Sequence, residues 1–139
     1  MRQLTVALLS LLLGAQAFAF TDRVTVARVE QLKQTLEAEA PQNRLAHLES
    51  FKDFLYSRLN TIELPEDILN TPDNDPRIEE YRSLTEFSGY VNLISAKQLN
   101  KAACGSINRD IINTANTQGS ESQASEALAA LKILNSLCK

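Results

Sequence analysis

Two cysteines, a single histidine and a run of acidic residues are the side chains with chemistry to offer in this 139-residue chain. Cys104 and Cys138 stand 34 residues apart. That spacing fits neither a CxxC redox pair nor a zinc-binding pattern. An even cysteine count in an exported chain points instead to one disulfide, Cys104–Cys138. A loop of that size adds roughly 3–4 kcal/mol of stability in the chain-entropy account.

His47 is the one histidine. It cannot build a multi-histidine metal site, and any Ser-His-Asp arrangement would have to use it. No GxSxG or comparable nucleophile context accompanies it, so it reads as a surface histidine on a helix. Met1 is the one methionine, and no CxxCH is present, which removes His/Met and covalent haem ligation. Glu-x-x-His pairs of a di-iron bundle are missing as well. Catalytic residues, metals and cofactors are therefore assigned to none.

Acidic residues gather between 60 and 80. Asp67, Asp73, Asp75, Glu79 and Glu80 lack the alternation and central glycine of a calcium loop, and Pro72 and Pro76 interrupt them. They read as solvated loop and cap residues. Tyr81, Phe87 and Tyr90 are the candidate lining of a ligand cavity, although aromatics at helical spacing more often fill a core.

The elements that position these residues are helices. Apolar residues recur every three or four positions from end to end, and no sustained strand alternation exists. The first helix is expected from about Asp22 to Ala38, with Thr21 as its cap and Val26, Val29, Leu32 and Leu36 as its stripe. A second runs from about Pro41 to Leu59 on Leu45, Leu48, Phe51, Leu55 and Leu59. Phe54 and Tyr56 widen that face, while Lys52, Asp53 and Arg58 point away. A third starts near Asp75-Pro76 and carries Ile78, Tyr81, Leu84, Phe87, Val91 and Ile94, with Gly89 allowing a close contact or a kink. Ser95 and Gln98 fit a capping box, which favours a break before a fourth helix from about Ala96 to Ala115 on Leu99, Ala103, Ile107, Ile111 and Ile112. After a tight loop at 117–120, with Ser120 and Gln123 as a second possible box, the last helix presents Ala124, Leu128, Leu131, Leu134 and Leu137, with Ile133 beside them. The fold class expected is all-α: a small bundle of four to five helices, with a C-terminal antiparallel hairpin clipped by the disulfide. A sharp turn leaves the two cysteines roughly 9 Å apart in level, so the bridge needs a longer loop or a frayed end.

Residues 60–76 form a connector rich in Asn, Pro and Asp. Leu64, Ile68 and Leu69 are expected to pin it to the core. A stretch this long inside a small domain is a site candidate, and Glu63, Glu66, Asp67, Asp73, Asn74 and Asp75 are its candidate partner-binding residues.

The first nineteen residues read as a secretory signal peptide. Arg2 supplies the positive end, Val6 to Leu13 the apolar core, and Ala15-Gln16-Ala17 or Ala17-Phe18-Ala19 the small-x-small cleavage pattern. The apolar run is shorter than the roughly 20 residues a membrane span needs. Residues 20–139 are then a single helical domain, periplasmic or secreted. Without Arg2, 13 Lys and Arg stand against 17 Asp and Glu, a net charge of −4. The basic residues are scattered, which argues against nucleic acid as a partner.

In size, export signal and helicity the chain is similar to small envelope proteins that act as immunity factors, acid-stress chaperones or ligand carriers, and no motif selects among them. The expectation is an exported, non-catalytic interaction protein of the periplasm, of binding, inhibitor or immunity-like kind, with a protein partner in the envelope or outside the cell. The alternative is a helical bundle carrying a lipid or small apolar ligand.

Overall fold

The structure, a computed structural model, describes residues 22–95, 100–118 and 121–139. The expected signal peptide, Thr21, residues 96–99 with Gln98 and Leu99, and residues 119–120 with Ser120 lie outside the described residues. Five α-helices account for most of the remainder: α1 (Arg23–Ala38), α2 (Arg44–Thr61), α3 (Pro76–Ser95), α4 (Lys101–Gln118) and α5 (Glu121–Leu137). The all-α class holds, with no strand among the described residues.

The starts of α1, α3 and α4 are each fixed by a short polar side chain. Asp22 caps α1: its Oδ1 accepts from the Val24 N–H at 3.2 Å, and its Oδ2 from the Thr25 hydroxyl at 2.6 Å. The cap therefore sits one residue later than expected, and Thr25 is fully buried beneath it. Pro41–Asn43 makes a single 3₁₀ turn before α2. Asp75 caps α3 by accepting the Arg77 N–H at 2.9 Å. Asn100, not Ser95, caps α4: its Oδ1 accepts the Ala103 N–H and its carbonyl the Cys104 N–H, both at 2.8 Å. Asn is among the strongest N-cap residues, so α4 opens at Lys101 rather than Ala96.

The buried stripes close one core. Val29, Leu32 and Leu36 of α1 meet Leu48, Phe51 and Leu55 of α2; Leu84, Phe87, Val91 and Ile94 of α3; and Ile107 and Ile111 of α4. The α5 helix is central, packing against α1, α3 and α4. Its pairs Lys132–Glu30 at 3.3 Å and Lys139–Glu37 at 3.0 Å advance in step along both helices, so α5 runs parallel to α1. Arg44, buried at the start of α2, donates to the Leu137 carbonyl at 3.4 Å and ties that corner to the end of α5.

Several stripe residues turn out differently. Leu128 is 53% exposed, because the buried face of α5 is Ala127, Ala130, Ile133, Leu134 and Leu137. Leu45, Tyr56 and Ile112 also face out. Gly89 has open space where a Cβ would stand, so it serves no close helix contact. Arg58 does not point away: its Nε and Nη2 donate to the two Asp22 oxygens at 3.0 Å each, and Nη2 also reaches Glu80 at 3.1 Å. This guanidinium joins α1, α2 and α3.

The disulfide is present, with Cα atoms 6.3 Å apart. Fourteen residues of α4 follow Cys104, and seventeen separate the start of α5 from Cys138. At about 1.5 Å per residue the levels then differ by only roughly 4.5 Å.

Candidate functional site

The connector leaves α2 at Ile62, which packs against the core, and ends at the Asp75 cap. Between them the chain builds its own order. Ile68–Asn70 is a 3₁₀ turn closed by the Thr71 N–H on the Ile68 carbonyl at 3.3 Å. The Asn70 amide donates to Asp67 Oδ2 at 2.8 Å, and the Thr71 hydroxyl to the Asp67 carbonyl at 2.6 Å. Farther on, the Asp75 N–H donates to the Pro72 carbonyl at 3.0 Å. Local side-chain bonds such as that of the Thr71 hydroxyl are how Asx and Thr residues hold turns.

Because these bonds hold the turn, its apolar side chains are not needed as anchors. Leu69 is 96% exposed and Ile68 48% exposed; Leu64 is half-buried. The expectation that Ile68 and Leu69 pin the connector to the core is corrected, and Ile62 takes that role. Leu69 stands out as a knob on a bonded turn. Glu63, Glu66, Asp67, Asp73 and Asn74 are exposed around it in the chain, and Asp75 is half-buried. Residues 59–76 hold five acidic and no basic side chains. Arg77 bonds Asp75 through two nitrogens, at 3.0 and 3.1 Å, and that contact holds the Asp75 carboxyl below its usual range. Glu63 adds to the negative field at Arg77, so both ends of the connector act on one guanidinium.

The three aromatics proposed as a ligand lining do not share a surface. Phe87 is fully buried edge-on against Phe51, with centroids 6.0 Å apart. Tyr90 is buried and Tyr81 is 39% exposed. Surface hollows among the described residues lie elsewhere. One, of about 170 Å³, is lined by Arg28, Leu32, His47 and Phe51; another, of about 500 Å³, by Lys33, Glu37, Lys132 and Lys139. His47 Nε2 lies 3.1 Å from Glu39 Oε2 at the half-exposed rim of the first. No group of three or more His, Cys, Asp or Glu among the described residues is arranged to hold a metal.

No protein family, curated protein or solved structure matches this chain. Its functional reading therefore rests on its own surface and interior.

Sequence reasoning missed one polar group in that interior. Glu126 of α5 is fully buried and accepts the Ser83 hydroxyl of α3 at 2.6 Å. The signal was available: Glu126 stands four and seven residues before Ala130 and Ile133, on the helix's apolar face. Its carboxyl is pushed up to about 7, mainly by burial and further by the Glu86 carboxylate, with the Ser83 hydrogen bond working against the shift. Burial, with Glu86 and Glu126 nearby, also raises the Tyr90 phenol.

Proposed function

We propose that this chain is an exported, non-catalytic interaction protein of the periplasm that engages a protein partner through the connector. Leu69 carries the reading. An almost fully exposed leucine fixed outward on a turn held by three hydrogen bonds is ready to be buried by another surface, which would remove its apolar area from water. The order of the turn lowers the entropy lost on docking. Acidic side chains around an apolar knob select a partner with an apolar recess bordered by Lys or Arg. Export is supported by the Arg2, Val6–Leu13 and small-x-small pattern, and the disulfide is compatible with an oxidising compartment. No helix among the described residues is long and apolar enough to cross a membrane.

The experiment is capture from a native envelope fraction with the oxidised chain, run beside Leu69→Ser and beside the triple variant Glu63→Gln, Glu66→Gln, Asp73→Asn. A partner docking on this surface is retained by the parent. Its affinity falls about 10- to 100-fold with Leu69→Ser, the range for losing one buried leucine contact. Its association slows in the triple variant and in high salt. A partner held equally by all three proteins, or none at all, overturns the reading.

A further inference from the structure

The interface of α3 and α5 holds a polar cluster inside an otherwise apolar core. Ser83, Glu86 and Tyr90 share one face of α3, at spacings of three and four residues, and Glu126 stands against them from α5. Three oxygens of this cluster are buried without a hydrogen-bond partner: Glu86 Oε2, Tyr90 Oη and Glu126 Oε2. Tyr90 and Glu126 are respectively 3% and 0% exposed. Buried polar groups are almost always paired, so three orphans in one place call for an account.

Counting donors supplies it. With both carboxylates ionised, the cluster has two protons to share, on Ser83 and Tyr90. Ser83 already serves Glu126 Oε1. The Tyr90 proton can satisfy one of the two bare carboxylate oxygens, which leaves the other unpaired beside a like charge in the core. That arrangement is strongly unfavourable. A proton on Glu126 removes one charge and adds a third donor, enough in number for every orphan to be paired.

We propose that Glu126, with Glu86 and Tyr90, forms a proton-dependent latch between α3 and α5, closed when the Glu126 carboxyl is protonated and loosened when it ionises. Among the described residues, no positive group offsets the ionised form. On α1, Arg23 is exposed, Arg28 lies over Phe54 at 4.9 Å and Glu30 pairs with Lys132. On α4, Arg109 and Asp110 are exposed. Of the charged residues on the helices packed against α5, Glu86 is the one that acts on the Glu126 carboxyl. The latch works near neutral pH, the range in which that carboxyl titrates.

The sign follows from linkage. A folded-state pKa of about 7, against an ordinary 4.5, means the native state holds the proton more tightly. The stabilisation is complete below about pH 4.5 and is lost as pH rises through 7. Between pH 5.5 and 8.5 the unfolding equilibrium constant of the oxidised chain is expected to rise on the order of 30-fold. Amide hydrogen exchange should accelerate first in α3 and α5. Glu126→Gln, which is neutral at every pH, should remove this rise. Glu86→Gln should shrink it by withdrawing the like charge, and keeps the test alive if Glu126→Gln fails to fold. Carbon-13 NMR of the Glu126 carboxyl should show a midpoint near 7. A midpoint near 4.5, an unchanged unfolding constant in the parent, or the same rise in Glu126→Gln overturns the latch.

Discussion

Removing the disulfide by the double substitution Cys104→Ala, Cys138→Ala should weaken the fold by about 4 kcal/mol without changing its architecture. The magnitude follows from the 34-residue separation. Closing a loop of that length in the unfolded chain costs about 13 cal/mol/K, or roughly 3.8 kcal/mol at 25 °C. Little native packing goes with the bridge. Cys104 is half-buried and Cys138 exposed, while α4 keeps Ile107 and Ile111 against α5. For a domain of this size 1 kcal/mol corresponds to about 3–5 °C, so Tm should fall roughly 10–20 °C. The assay is urea and thermal unfolding of the oxidised parent and the variant, followed by far-ultraviolet circular dichroism. Each is fitted with its own m-value, because the uncrosslinked unfolded state exposes more surface. A native spectrum with a loss below about 1 kcal/mol would refute the entropic account and imply that α4 and α5 remain associated in the unfolded chain. A variant without helical signal at 25 °C would refute the other half of the argument, that core packing alone specifies the bundle.

Phe87→Ala should cost about 3–5 kcal/mol in chemical denaturation, since the ring is fully buried and its edge contact with Phe51 is lost; a cost under 1 kcal/mol would mean that the α2–α3 interface collapses around the gap. Asp22→Asn should cost about 2 kcal/mol at pH 7, and the cost should shrink as pH falls below the ordinary carboxylate range, measured by thermal unfolding across pH. Burial opposes ionisation of Asp22, but the Thr25 hydroxyl, the Arg58 guanidinium and the Val24 N–H outweigh it and lower its pKa. A depressed folded value gives stability that is present above the ordinary carboxylate range and lost as pH falls through that lowered value, so a cost that does not shrink in acid would contradict the assignment.

Much of the bundle was legible in the sequence, because a helix buried on one side must repeat its apolar residues every three or four positions. Leu48, Phe51 and Leu55, or Leu84, Phe87, Val91 and Ile94, leave no other face to bury. Asp75-Pro76 marked its helix start for the same local reason. What failed depended on partners distant in the chain. Leu128 matches the last helix's spacing as well as Ala127 and Ala130 do, and which face turns inward is set by where α1, α3 and α4 lie. Arg58 reads as a surface residue until Asp22, 36 residues earlier, is brought beside it. The connector was visible as a long polar stretch, but Ile68 and Leu69 followed the rule that leucines go inside. The hydrogen bonds of Asp67, Asn70 and Thr71 removed the need for it.

The two buried acids show how the same residue class gives opposite behaviour according to its donors. Asp22 sits at a helix N-terminus with a backbone N–H, a hydroxyl and both arms of the Arg58 fork directed at it. Every donor favours the charged form, so that corner is firm at neutral pH and fails in strong acid. Glu126 lies past the first turn of α5, with one hydroxyl for one of its oxygens and a second carboxylate nearby. Its surroundings favour the neutral form, so that interface is firm in mild acid and loosens as pH rises through neutrality. The two responses meet between the ordinary carboxylate range and pH 7, the one window in which both polar sites are satisfied together. The connector stands between them, entered from the helix that carries Arg58 and leading into the helix that carries Ser83, Glu86 and Tyr90. Arg58 lies in the last turn of α2, at the entrance to the connector, whereas Ser83, Glu86 and Tyr90 lie about two to four turns beyond the start of α3 at Pro76, so the acid-sensitive corner is the one that borders Leu69.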